Sequence, residues 1–218
     1  MQNQNPLLTP STLPHQVPDF PHIRPEHFEP AVRTAIDMAR QNIAALKSNP
    51  SPPTFDNTIV ALETASDKLG EVTSLFYNQL SANGSDALDQ LTDVIGPLNA
   101  AFGSDVALDP AIFARVRAVH DAAGTLSLTP EQKTLLDDTY KSFVRNGALL
   151  GDNAKARIRV IDERLSVLAP QFQKNLKKST EAFEMVIRDR ADLDGLPDHA
   201  IAAAADTARE KGYDNAWV

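Results

Sequence analysis

Five histidines, His15, His22, His27, His120 and His199, are the first residues to test for chemistry. A zinc hydrolase built on a helix needs two histidines at i and i+4, so that both imidazoles face one way, with a glutamate between them for the water's proton. No His-Glu-x-x-His occurs in the chain. His22 and His27 stand five apart across Arg24 and Pro25, on no common helical face, and read as exposed residues near a helix start. Cysteine is absent, which excludes thiolate nucleophiles, thiolate zinc sites and disulfides. The glycines form neither a Gly-x-Gly-x-x-Gly nor a phosphate loop, and no serine sits in a Gly-x-Ser-x-Gly elbow. Asp86, Asp89 and Asp93 share one helix face and have the oxygen chemistry for Ca²⁺ or Mg²⁺, yet such a row reads first as a solvated side. Lys174, Lys177 and Lys178, with Arg157, Arg159 and Arg164 before them, give a long helix its basic face. The lysines complement that helix's C-terminal dipole, and the alternative is a lining for an anionic ligand such as a peptide carboxylate. No residue is assigned a catalytic, cofactor-binding or metal-binding role.

The elements that would position such residues are mostly helices. Six prolines, Pro6, Pro10, Pro14, Pro18, Pro21 and Pro25, keep the start of the chain extended. That arm also carries Leu7, Leu8, Leu13, Val17, Phe20 and Ile23, which is too apolar for a solvated tail, so it is expected to strap across a surface. From Glu26, Phe28, Val32, Ile36, Ala39, Ile43 and Leu46 recur at three and four and predict a helix, with Pro30 in its first turn, ending before Asn49. Thr54 supplies a cap for a second helix continuing to Asn83, and Ser85 caps a third that Gly96-Pro97 should kink or break. Asp109-Pro110 and Thr129-Pro130 each place a cap before a first-turn proline, and Gln132 completes a capping box.

The longest helix is expected from Asp152, with Ile158, Ile161, Leu165, Leu168, Phe172 and Leu176 in near-heptad steps and a bend at Pro170. Its 28 or so residues at 1.5 Å each predict a rod of about 40 Å. Beyond Thr180, Phe183, Met185 and Ile187 alternate with Glu184, Val186 and Arg188 as in a strand. A helix capped by Asp198 follows, and Trp217 and Val218 favour a last strand with no visible partner. The expected fold is therefore mainly α: an elongated antiparallel helical bundle with a proline-rich N-terminal arm and a short strand-helix-strand element at its C-terminal end. Its expected divisions are the arm 1–24, a helical domain 25–182, and the start of a further region 183–218 that reads as interrupted.

The chain has 218 residues, room for a sizeable core. A formal net charge of −8 argues against nucleic acid or an anionic membrane as partner, since either calls for an excess of Lys and Arg. No signal peptide and no apolar run of membrane-spanning length is visible, and the cysteine-free composition suits the cytoplasm.

Seven short stretches then fall into a familiar order. Asn5-Pro-Leu-Leu8, Pro18-Asp-Phe-Pro-His-Ile23, Pro25-Glu-His-Phe-Glu-Pro-Ala31, Pro53-Thr-Phe-Asp-Asn-Thr-Ile59, Phe143-Val-Arg-Asn-Gly-Ala-Leu149, Phe172 with Asn175 and Leu176, and Leu193-Asp-Gly-Leu-Pro197 resemble the amino-terminal part of the thimet oligopeptidase family of zinc metallopeptidases. They are most similar to its peptidyl-dipeptidase branch, with the oligopeptidase A branch next. The resemblance implies the first third of a helical, clamshell-like enzyme in which a channel admits short peptides. It also implies that zinc and its two His and one Glu ligands belong to polypeptide absent here, so no site residue carries over. The implied role is steric gating and scaffolding, inactive alone. The expected partners are short peptides, the rest of the same polypeptide, and a second copy of the chain through uncovered apolar surface. A non-catalytic module that binds peptides or proteins is the reading from another class.

Overall fold

The computed structural model describes residues 5–218. Among them are seven α-helices of twelve residues or more: α1 Pro25–Ser48, α2 Asp67–Ala82, α3 Asp86–Ala107, α4 Pro110–Asp121, α5 Pro130–Arg145, α6 Asp152–Glu181 and α7 Asp198–Glu210. The chain divides into two compact units, one through Pro170 and the other Gln171–Val218.

Two apolar clusters build the first unit. In the first, Phe28, Val32, Ile36 and Ala39 of α1 meet Leu69, Val72 and Phe76 of α2 and Leu88, Ile95 and Phe102 of α3. The Phe28 and Phe76 rings pack edge to face with centroids 5.4 Å apart. These are the three- and four-spaced positions of the sequence, and their burial is what makes the helices hold. In the second cluster Ile112, Phe113, Val116 and Val119 of α4 pack with Leu136 and Phe143 of α5 and with Phe55 and Ile59. Caps set the boundaries. The Asp109 carboxylate accepts from the amides of Ala111 and Ile112 at 2.8 and 3.1 Å. The Thr129 hydroxyl accepts from the Gln132 amide at 3.3 Å, and the Gln132 side chain returns a bond to Thr129 at 3.0 Å. Lys47 in the last turn of α1 reaches the Asp109 carboxylate at 2.5 Å and so joins the end of one helix to the start of another.

The arm holds no α-helix among its described residues; it makes 3₁₀ turns at Pro14–Gln16 and Phe20–His22. It straps onto the protein itself. Leu7 enters the first cluster, and the Asn5 amide donates to the His27 carbonyl at 2.7 Å.

Several expectations are corrected. The second predicted helix is two pieces: a π-helical turn Phe55–Val60 running into Ala61–Glu63, then a break, then α2. At the break the Ala65 carbonyl accepts from the Asn42 side chain of α1 at 3.0 Å. Pro30 lies inside α1 rather than in its first turn, because the helix already begins at Pro25. Gly96-Pro97 does not break α3, which is helical through both residues. The expected strand-helix-strand element is not formed. Among the described residues there is no strand, only an isolated antiparallel bridge between Ile187 and Trp217. A ladder needs consecutive pairs, and the amide of Val218 instead donates to the Ala204 carbonyl of α7 at 3.1 Å.

In the second unit Leu193, Ala208 and Ala216 are buried around the 3₁₀ turn Arg190–Leu193 and α7.

Candidate functional site

The residues that could do chemistry are kept apart by their own local bonds. His22 pairs with Asp19 at 2.9 Å, whereas His27 Nδ1 accepts from the Arg24 amide at 3.1 Å at the start of α1. The two rings therefore serve separate turns. His120 stacks on Tyr140 with centroids 3.9 Å apart, between the carboxylates of Asp121 and Asp137 at 3.8 and 3.9 Å. His15 takes a left-handed backbone, φ 57°, in the arm's first turn, and His199 is exposed in the first turn of α7. Among the described residues no three His, Asp or Glu side chains converge as a metal site. Of the acidic row, Asp86 lies exposed in the first turn of α3, Asp89 is half-buried one turn on, and Asp93 borders a cleft.

The basic face of α6 is divided by the structure. Arg157, Arg159 and Arg164 are all exposed, and of the three Arg159 reaches across to α3, binding Asp105 at 2.7 Å. Asp105 also receives Arg40 of α1 at 3.9 Å. In the second unit Lys174 is half-buried and Lys177 and Lys178 are exposed.

That division reveals what sequence periodicity missed. The α6 side chains that reach α3 are polar and three residues apart: Arg159 to Asp105, and Asp162 to the Ser104 hydroxyl at 2.7 Å; one turn on, the backbone carbonyl of Ser166 lies 3.1 Å from where a Cβ on Gly96 would stand. One turn earlier, Lys155 donates to the Leu108 carbonyl at 3.3 Å. The predicted apolar stripe faces the other way. In the first unit Ile161, Leu165 and Leu168 are exposed, Leu165 by 55%; in the second, so are Phe172 and Leu176. Only Ile158 is tucked in, against the left-handed turn at Gly147.

Two clefts lie within the first unit. The larger, about 1050 Å³, opens between the arm and α2, with Leu7, Leu13, Phe20, Val72 and Leu75 on its walls and the paired Lys68 and Glu71 in its lining. The smaller, about 500 Å³, lies among α1, α3 and α6 and mixes Arg33 and Arg159 with Asp93, Asp105 and Glu163. Neither aligns a nucleophile with a base. The Ser11 hydroxyl in the first donates to the Val17 carbonyl at 2.6 Å, and the Ser104 hydroxyl in the second to Asp162.

Among the described residues no helix is long and apolar enough to cross a membrane. No protein-family model matches the chain. The chain is 36% identical over 218 residues to dipeptidyl carboxypeptidase of Escherichia coli strain K12, covering all of this chain and 32% of that protein. It is 30% identical over 207 residues to oligopeptidase A of the same strain, covering 95% of this chain and 30% of the relative. A probable cytosolic oligopeptidase A of Arabidopsis thaliana is 22% identical over 214 residues. The chain is homologous to dipeptidyl carboxypeptidase and oligopeptidase A along essentially its whole length, and spans about a third of the length of these bacterial relatives.

Proposed function

We propose that this chain is the amino-terminal helical part of a zinc metallopeptidase of the thimet oligopeptidase family, one that removes C-terminal dipeptides from short peptides. Its part in the work is steric: helices packed on two apolar clusters form wall and scaffold, and the peptide bond is cut by residues outside these 218. The carrying observation is the 36% identity along the whole chain to a dipeptidyl carboxypeptidase of which it spans a third. The outward apolar stripe of α6 supports the same reading, because a long helix that turns polar side chains inward and leucines outward is suited to being covered by further polypeptide. An oligopeptidase role is the second reading, favoured by the 30% identity to oligopeptidase A.

The zinc of that family does not fit this chain. Its three nitrogen and oxygen donors have no counterpart among the described residues, where no such group converges. When bound, zinc would polarise the scissile carbonyl and activate water. What this chain supplies is exclusion of folded substrates, with Arg157 and Arg164 as exposed cations for a peptide carboxylate. The cysteine-free composition fits a cytoplasmic setting.

The test compares the 218-residue chain with the longer polypeptide that contains it. Only the latter should release dipeptides from a blocked pentapeptide in a zinc-dependent manner. Turnover by the 218-residue chain at an enzymatic rate, with contaminating proteases excluded, would overturn the assignment. So would a longer protein with no hydrolysis of any short peptide.

A further inference from the structure

We infer that residues 183–187 form the waiting edge of an antiparallel two-stranded ribbon, and that its occupant is the polypeptide following Val218 in the longer protein. This rests on the reading of the chain as a part, and the geometry supplies the register.

Ile187 and Trp217 exchange both backbone bonds, amide to carbonyl at 2.8 and 2.9 Å, which makes them a hydrogen-bonded antiparallel pair. In such a pairing each step forward on one strand is a step back on the other. Val218 therefore faces Val186 in a non-bonded pair, where its amide must point away from the partner strand. It does so, toward the Ala204 carbonyl, and both valines are half-buried. The next residue would face Met185 in a bonded pair. Among the described residues neither the amide nor the carbonyl of Met185 has a hydrogen-bond partner, so the groups that this register calls for stand open.

Side-chain alternation says what the occupant must carry. Glu184 is bound by the Lys211 ammonium at 2.5 Å and by the Tyr213 hydroxyl at 2.7 Å, which fixes its face of the segment against the end of the chain. Phe183 and Met185 consequently turn to the opposite face, 75% and 63% exposed. The first and third residues after Val218 would stand directly across from Met185 and Phe183 on that face. Apolar side chains at those two positions would cover both, in the cross-strand pairs that stabilise ribbons. The match covers only 32% of the relative, which has the length to supply such a segment.

The test lengthens the chain by valine-threonine-valine-threonine-lysine and follows backbone amides by NMR. The Met185 amide is expected to exchange about tenfold more slowly than in the unlengthened chain, as a newly bonded backbone does. An Hα–Hα contact between Glu184 and the second added residue should report the register. Proline at the first added position removes the donor meant for the Met185 carbonyl, one of the pair's two bonds, and should reduce the slowing. Unchanged exchange at Met185, or cross-strand contacts in another register, overturns the inference. Protection of Met185 in the unlengthened chain that grows with concentration also overturns it, because a second copy would then be the occupant. Absent peptidase activity in the longer protein would sink the functional proposal and leave this outcome to be read by itself.

Discussion

At the scale of single residues, Asp109 does two jobs that can be separated. It caps α4 through two amides and takes the ammonium of Lys47, and its side chain is only 16% exposed. Burial works to raise its carboxyl. The Lys47 bond and the amides of Ile112 and Ala111 outweigh that and hold it below the ordinary carboxylate range. A carboxyl lowered by folding stabilises the fold above its unfolded pKa, about 3.9, and the contribution disappears as pH falls through the lower folded value. Asp109→Ala is expected to cost about 1–2 kcal/mol in urea unfolding at pH 7, as lost caps do. Asp109→Asn keeps the cap and gives up the ion pair, so it should stay within about 1 kcal/mol of the parent. The gap between parent and Asn variant should close below roughly pH 4, and a gap constant down to pH 2 would contradict this account. The motif was legible in the sequence because Asp-Pro before an apolar run is a local signal. Its Lys47 partner was not, since 62 residues separate the two.

At the scale of elements, the same distinction between local and distant information decides what periodicity could tell. The stripes of α1 and α4 were readable because their apolar residues are spaced for one face and that face is buried. The break before α2 was not: no proline or glycine marks it, and the Asn42 side chain that bonds the Ala65 carbonyl there lies 23 residues away in the chain. Helix α6 is the instructive case. Its heptad rhythm marks an apolar face, but a rhythm does not say which neighbour that face meets. Here Arg159 and Asp162 make the inward contacts, and each has a polar mate on α3. The candidate site was legible only as an absence of motifs, and the outward stripe became visible once those mates were placed. Leu165→Lys separates the alternatives. Truncation of a core leucine costs about 2–5 kcal/mol, whereas surface substitutions stay within about 0.5 kcal/mol. Lysine is nearly as good a helix former as leucine. The variant should therefore unfold within about 0.5 kcal/mol of the parent. A loss above about 2 kcal/mol would show that Leu165 is packed in solution.

At the scale of the whole molecule, exposed apolar side chains occur in both units: Leu149, Leu150, Val160 and Leu165 in the first, and Phe172, Phe183, Met185 and Leu196 in the second. Contiguous apolar patches beyond a few hundred Å² are uncommon on soluble monomers. Water's aversion to such surface can be relieved by more of the same polypeptide or by another copy. In the 218-residue chain alone only the second is on offer, and the charge of −8 works against it through mutual repulsion. Salt screens repulsion over about 10 Å at 0.1 M and leaves apolar attraction in place. Association should therefore strengthen with ionic strength, the reverse of a complex held by ion pairs. Sedimentation at rising salt should show growing oligomer, and a hydrophobic dye should bind the chain. Leu165→Lys combined with Leu168→Lys should weaken both signals without unfolding α6, as seen by circular dichroism. The longer protein, with its stripe covered, should bind little dye at the same molar concentration. A monomer at all salt concentrations that binds no dye would mean that the stripe is hidden within the chain itself, and the case for a missing cover would lose its physical basis.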